Sequence, residues 1–175
     1  MHHSSLIFWQ HANDIYIELL NDKNLSNLKP CLFEVGEHLN QLNKKIKRYT
    51  NESINDAVIE FTDETTNYIN NARNEYMRKL VAEVKYEQLK TASNIVLMCK
   101  LLNYTIYLYN KTVNYQTKHF VHDFENLRIA CNRLLSKYDC LLNDNNKAII
   151  FDGVDAILKG MCDFIVDKLI AQKNC

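Results

Sequence analysis

The stretch IVLMCKLLNYTIYLYNKTV, residues 95–113, is the most apolar part of the chain and decides its fold. If this stretch is a helix, apolar side chains occupy two of its sides. One row contains Ile95, Met98, Leu102, Ile106, Tyr109 and Val113, and the other contains Leu97, Leu101, Tyr104 and Leu108. A helix that is apolar over so much of its circumference is expected to lie at the centre of a bundle.

The segments on both sides of this stretch repeat apolar residues at helical spacing. Helices are predicted over residues 5–20, from Pro30 to about 49, over 54–84, over 120–138 and over about 147–172. The second of them carries a seam of Leu32, Val35, Leu39, Leu42, Ile46 and Tyr49. With three glycines and one proline in 175 residues, the chain has few of the residues that sheet turns need. We therefore predict an all-α protein, a single-domain helical bundle of five or six helices over residues 1–175.

The polar segments between these helices predict where each helix ends. Residues 21–30, 114–118 and 141–147 are expected to connect helices. The segment KTASN, residues 90–94, has the composition of a helix cap. The polar run NYINNARNE, residues 67–75, leaves two alternatives open, one helix of more than 30 residues or a helix that breaks there.

The charge and composition exclude several classes of function. The 21 basic and 21 acidic residues cancel, so there is no overall attraction to nucleic acid or to an anionic membrane. There is no apolar run of 18 residues and no recognisable secretory signal. The six cysteines show no metal-binding spacing and are expected to be reduced thiols. We expect an intracellular protein, cytoplasmic or nuclear, that has no membrane partner. Nucleic acid is not the expected partner either.

The segment KHFVHDFE, residues 118–125, is the one candidate metal site. His119, His122 and Asp123 lie at positions i, i+3 and i+4, which share one face of a helix. The alternative is an ordinary first helical turn, in which Asp123 and Glu125 complement the positive helix end. A zinc site needs further ligands that the sequence does not supply nearby. We therefore predict no metal and no cofactor, with a metal-binding bundle as an alternative.

Other sequence features have structural interpretations. The basic cluster NKKIKRY, residues 43–49, is expected to be a solvated helix end. The glycines Gly153 and Gly160, seven residues apart, are expected to permit close helix packing. His38 and the three histidines near the N-terminus, His2, His3 and His11, are not expected to form a site. The tyrosines Tyr104, Tyr107, Tyr109 and Tyr115 suit either a core or a partner surface. No nucleotide-binding or nucleophile motif is present, so we expect no catalytic residue and no enzyme.

The cysteine-containing helices and the long glycine-free stretches, Ile54 to Val84 and Phe120 to Tyr138, resemble those of the baculovirus protein-kinase-interacting protein family. This general resemblance implies a small helical viral accessory protein that binds and stimulates a protein kinase. The resemblance assigns no role to any individual residue of this chain.

The buried helix that is predicted over residues 95–113 also resembles the central helix of the poxvirus helical fold related to cellular apoptosis regulators. That resemblance implies a groove that receives a partner helix. The chain departs from this family because its single tryptophan, Trp9, is not part of an Asn-Trp-Gly-Arg signature.

Together these features predict a non-enzymatic adaptor or regulator that binds a protein partner, with a protein kinase as the sharper expectation. A helical apoptosis inhibitor is the alternative. Self-association through the seam residues Leu39, Leu42 and Ile46 is a further expectation.

Overall fold

The computed structural model describes residues 3–47, 52–80, 86–112, 120–140 and 142–173, which form six α-helices and contain no strand. The helices are α1 (His3–Leu20), α2 (Lys29–Lys47), α3 (Glu52–Leu80), α4 (Tyr86–Thr112), α5 (Val121–Asp139) and α6 (Asp144–Lys173). A short 3-10 turn, Ser26–Leu28, precedes α2. The predicted all-α class and helix number are confirmed.

Helix α4 is the centre of the bundle, as its sequence predicts. Residues 91–99 are all buried, and α4 packs against α1, α5 and α6. It runs antiparallel to α1, because Phe8 lies edge-on to Tyr104 at 5.0 Å while Glu18 lies near Asn94. The other helices therefore take their positions from contacts with α4 or with its immediate neighbours.

The three glycines of the chain each accommodate a tyrosine from a neighbouring helix. Tyr76 and Tyr68 of α3 lie against Gly153 and Gly160 of α6, in the spaces where β-carbons would be. The order of these contacts makes α3 and α6 antiparallel. Tyr16 of α1 lies in the same way against Gly36 of α2. The predicted close packing at Gly153 and Gly160 is confirmed, and its cause is the bulk of the tyrosine rings.

Helix α2 is attached to α5 by its apolar seam and by two ion pairs. Glu34 pairs with Arg133, and Lys45 Nζ lies 2.6 Å from Asp123 Oδ2, which makes the two helices antiparallel. The seam residues Leu32, Val35, Leu39 and Leu42 are buried inside the chain. Leu39 and Leu42 thus pack inside the chain, and self-association stays a prediction. The Ile46 side chain and Tyr49 lie outside the described part of the structure.

One predicted helix boundary is wrong, and the structure decides between the two alternatives left open for another segment. Residues 90–94 do not cap a helix but lie inside α4. Asn94 finds a polar partner on α3 and Thr91 finds one in the connection after α1, instead of on their own backbone. Residues 67–75 do not break α3, which is continuous over 29 residues. Its Tyr68, Ile69 and Tyr76 face neighbouring helices and stabilise it there. The turn predicted over residues 114–118 lies outside the described residues.

Replacing Gly153 with alanine should lower the free energy of unfolding. The added β-carbon would overlap the ring of Tyr76, whose hydroxyl donates a hydrogen bond to the carbonyl of Ile149. Overpacking costs about 1–3 kcal/mol, and the better helix propensity of alanine returns about 1 kcal/mol. Denaturant titration should show a net loss of about 1 kcal/mol.

Two further variants control this prediction. Lys159→Ala, at an exposed position of the same helix, should change stability by less than about 0.5 kcal/mol. Tyr76→Ala should remove the overlap, so that adding Gly153→Ala to it costs nothing. Equal effects of Gly153→Ala with and without the Tyr76 ring would contradict the packing explanation.

Candidate interaction surface

A buried polar network connects α1, α3 and α4. Asn94, which is 2% exposed, accepts a hydrogen bond from Arg73 and donates one of 3.4 Å to Glu18 Oε1. Thr91 donates a hydrogen bond of 2.5 Å to Asp22 Oδ2. These bonds satisfy polar groups that burial in the centre of the bundle separates from water. The network is therefore a structural element of the core.

His11 lies in the core, beside this network. From the sequence it was considered together with His2 and His3, as one of the histidines near the N-terminus. It is 4% exposed, and its Nε2 has no hydrogen-bond partner among the described residues. Burial and the nearby positive charge of Arg73 lower the pKa of His11 to about 4. The imidazole is thus neutral at pH 7. His2 and the His3 side chain lie outside what the structure describes.

The candidate metal trio, His119, His122 and Asp123, is only partly described. His119 lies outside the described residues, while His122 is exposed on α5. The carboxylate of Asp123 accepts a hydrogen bond from Lys45, so its role in the structure is to hold α2 against α5. Among the described residues, no group of three or more histidine, cysteine, aspartate or glutamate side chains has the arrangement of a metal site. Metal binding by the trio remains a hypothesis.

The other candidate residues divide between core and surface. Lys44 and Lys45 of the basic cluster are exposed, whereas the side chains of Lys47 and Arg48 are not among those described. His38 is partly exposed, at the edge of the α2 seam. Tyr104 packs against Phe8, and the exposed ring of Tyr107 stacks on Tyr104. Neither the Tyr109 side chain nor Tyr115 is described.

The cysteines that the structure describes are free thiols. The Cys99 thiol donates a weak hydrogen bond to the carbonyl of Cys131, at 3.8 Å. Contact with the Cys131 thiol and complete burial raise the pKa of Cys99, so it is protonated and poorly nucleophilic. Cys31 on α2 is partly exposed at the surface.

A groove of about 660 Å³ runs along the outward face of α5 beside α2 and opens to solvent. We call it the α5 groove; its lining consists of Cys31, Arg128, Ile129, Asn132, Arg133, Ser136 and Lys137. Ile129 is 40% exposed and lies opposite the side of α5 that packs into the core. The lining therefore combines an exposed aliphatic side chain with polar and cationic groups.

The charges of the α5 groove have one sign. Among the residues that the structure describes, its lining contains three cations, Arg128, Arg133 and Lys137, and no carboxylate. The carboxylates that pair with the arginines lie beside the groove. Arg128 binds Glu125 through two hydrogen bonds, one of them 2.9 Å long, and Arg133 binds Glu34. The hydrogen bond from Arg128 lowers the pKa of Glu125, which keeps this carboxylate ionised.

The α5 groove was not predicted from the sequence, although the sequence contains one signal for it. The seam Phe120, Phe124, Leu127, Cys131, Leu134 and Tyr138 is buried as predicted. Ile129 is an aliphatic residue that lies off this seam, between Arg128 and Arg133. Apolar residues off the seam among cations are a weak sequence signal, since isolated exposed apolar residues are common.

In comparisons with family models, with curated proteins and with solved structures, the chain matches none of them. A search of the described helices for a span long and apolar enough to cross a membrane finds none.

The low pKa of His11 should make stability depend on pH. In the unfolded chain the imidazole binds its proton with the ordinary pKa of 6.5, and in the folded chain with a pKa of about 4. Between these values the unfolded state holds more protons, so folding weakens as the pH falls from 6.5 to 4 and levels off below. The contribution of His11 to this loss is about 3 kcal/mol.

Urea titrations across this pH range should show the effect as a difference between variants. His11→Leu should have a flatter pH profile than the natural sequence, because the titrating group is gone. His122→Leu, which removes an exposed histidine of α5 instead, is the matched control. Parallel profiles for all three proteins would show that His11 does not titrate differently on folding.

Proposed function

We propose that this chain is a non-enzymatic adaptor or regulator that binds a partner protein through the α5 groove, inside the cell. The observation that carries the proposal is Ile129, an exposed aliphatic side chain in a groove lined by three cations and no anion. Interfaces commonly combine an apolar centre with a polar rim that contains arginine.

The shape and chemistry of the α5 groove favour a protein over a small molecule. The groove is open along one side, whereas sites for small ligands usually enclose most of the ligand surface. Its cations lie on one helix, at positions 128, 133 and 137, over about 14 Å. A protein surface is large enough to contact all three while covering Ile129.

We further propose that the partner is a protein kinase, which the bound chain stimulates, in line with the resemblance to the baculovirus kinase-interacting family. An adaptor of this kind needs no catalytic group of its own. It acts through differential binding, since a partner is activated only if the chain binds its active state more tightly.

Ile129→Glu should abolish partner binding. The substitution places a charge in the lining of the groove without disturbing the core, because Ile129 faces outward. Val121→Glu is the matched control, since Val121 is an equally exposed apolar residue on the same helix and outside the groove. Tagged chains should be compared by capture from cells, mass spectrometry and reconstitution with the purified partner.

The expected result is a protein that the natural chain and Val121→Glu bind and that Ile129→Glu does not. Its kinase activity, measured with and without the chain, then tests the kinase form of the proposal. If Ile129→Glu and Val121→Glu bind every reconstituted partner equally well, the α5 groove is not the docking surface.

One observation favours a second candidate function, inhibition of apoptosis by capture of a partner helix. Residues 91–99 of α4 are buried throughout, which is the core arrangement that the poxvirus resemblance implies. Synthetic helices from apoptosis-triggering proteins provide the test, by fluorescence anisotropy. Submicromolar binding of one of them would support this function, and no binding at about 100 µM would exclude it.

A further inference from the structure

We infer that the α5 groove receives an amphipathic helix whose apolar residues are flanked by glutamate or aspartate. This inference rests on the proposed function and names the chemistry of the partner. Three properties of the groove support it: the sign of its charge, the way its arginines are held, and its position along an α-helix.

The sign of the charge requires an anionic partner. Arg128, Arg133 and Lys137 line the groove with no carboxylate among the lining residues. The chain as a whole is neutral, so this attraction acts only locally, over about 10 Å at ordinary ionic strength. A partner is thus selected by carboxylates at the contact and not by its overall charge.

The intramolecular ion pairs allow the two arginines to exchange a carboxylate of their own chain for a carboxylate of a partner. Glu125 and Glu34 hold Arg128 and Arg133 at the edge of the groove. Exposed pairs of this kind contribute little to stability, so a carboxylate from a partner can replace them at small cost. Lys137 has no ion pair with any residue that the structure describes, and it is open to a third carboxylate.

The apolar part of the groove favours a helix over nucleic acid. Ile129 and Cys31 offer aliphatic and thiol surface, which a phosphate backbone would leave unused. The lining contains no aromatic side chain on which a base could stack. A partner helix, by contrast, places apolar residues at i, i+3 or i+4 and i+7 on one face, which suits a groove that follows α5 for about 14 Å.

The test uses a designed helical peptide as the probe. A labelled peptide of about 16 residues should carry leucine along one face and glutamate on both flanks, and a second peptide should carry lysine in place of glutamate. Fluorescence anisotropy with the full chain should show binding of the glutamate peptide that weakens at least about threefold between 50 and 300 mM salt. The lysine peptide and a single-stranded oligonucleotide should bind at least about tenfold more weakly.

Variants locate the binding in the α5 groove. Ile129→Glu and Lys137→Glu should each weaken binding of the glutamate peptide about tenfold or more, while Lys159→Glu, an exposed lysine on α6, should not. Glu34→Gln should strengthen it about twofold, because Arg133 loses its competing carboxylate. Circular dichroism checks that each variant folds, and Lys137→Glu does not disturb a described ion pair.

The outcomes separate this inference from the proposed function. Equal binding of the two peptides, preference for the oligonucleotide, or insensitivity to Lys137→Glu would overturn the acidic-helix inference. If no peptide binds while a captured partner still depends on Ile129, the inference fails and the proposed docking surface stands. If Ile129→Glu affects neither probe nor partner, both fail.

Discussion

The constraint on which the structure depends is the burial of α4 across positions 91–99. A helix at the centre of a bundle has little access to water, so a polar side chain on it is stabilised by a hydrogen-bond partner inside the protein. Asn94 has such partners in Arg73 of α3 and Glu18 of α1. An unpaired polar group there would cost about 1–3 kcal/mol. Three helices are therefore fixed relative to one another by one amide.

The positions of the outer helices depend on large side chains that pack into small spaces on neighbouring helices. Tyrosines fill the positions above Gly36, Gly153 and Gly160, so that aromatic rings on one helix approach the backbone of the next. One side of helix α5 packs against α4 and the core. Residues at the edge of that side form the ion pairs with α2. The remaining side of α5 faces solvent, and the α5 groove occupies it.

The parts of the structure that were predictable are those with a repeating apolar pattern. The α5 seam and the α2 seam from Leu32 to Leu42 are buried as expected, because helical spacing alone decides which side of an amphipathic helix faces inward. The polar residues 90–94 were mistaken for a cap, since their partners lie more than 20 residues away in the sequence and no local pattern indicates them. The α5 groove escaped prediction for the same reason, as Cys31 and Arg133 meet only through the tertiary fold.

In the proposed function, the net charge of zero would give the α5 groove a particular kind of specificity. A strongly basic protein attracts any polyanion from a distance, whereas a neutral one with a local cationic groove attracts only what reaches it. Glu34 and Glu125 increase this selectivity, since a weakly bound anion must compete with carboxylates that are already in place. A partner that also covers Ile129 gains apolar contact that a simple polyanion lacks, about 25 cal/mol for each Å² removed from water. In the proposed complex, discrimination would come from joining the exchange of carboxylates to the burial of one aliphatic side chain, and neither would provide it alone.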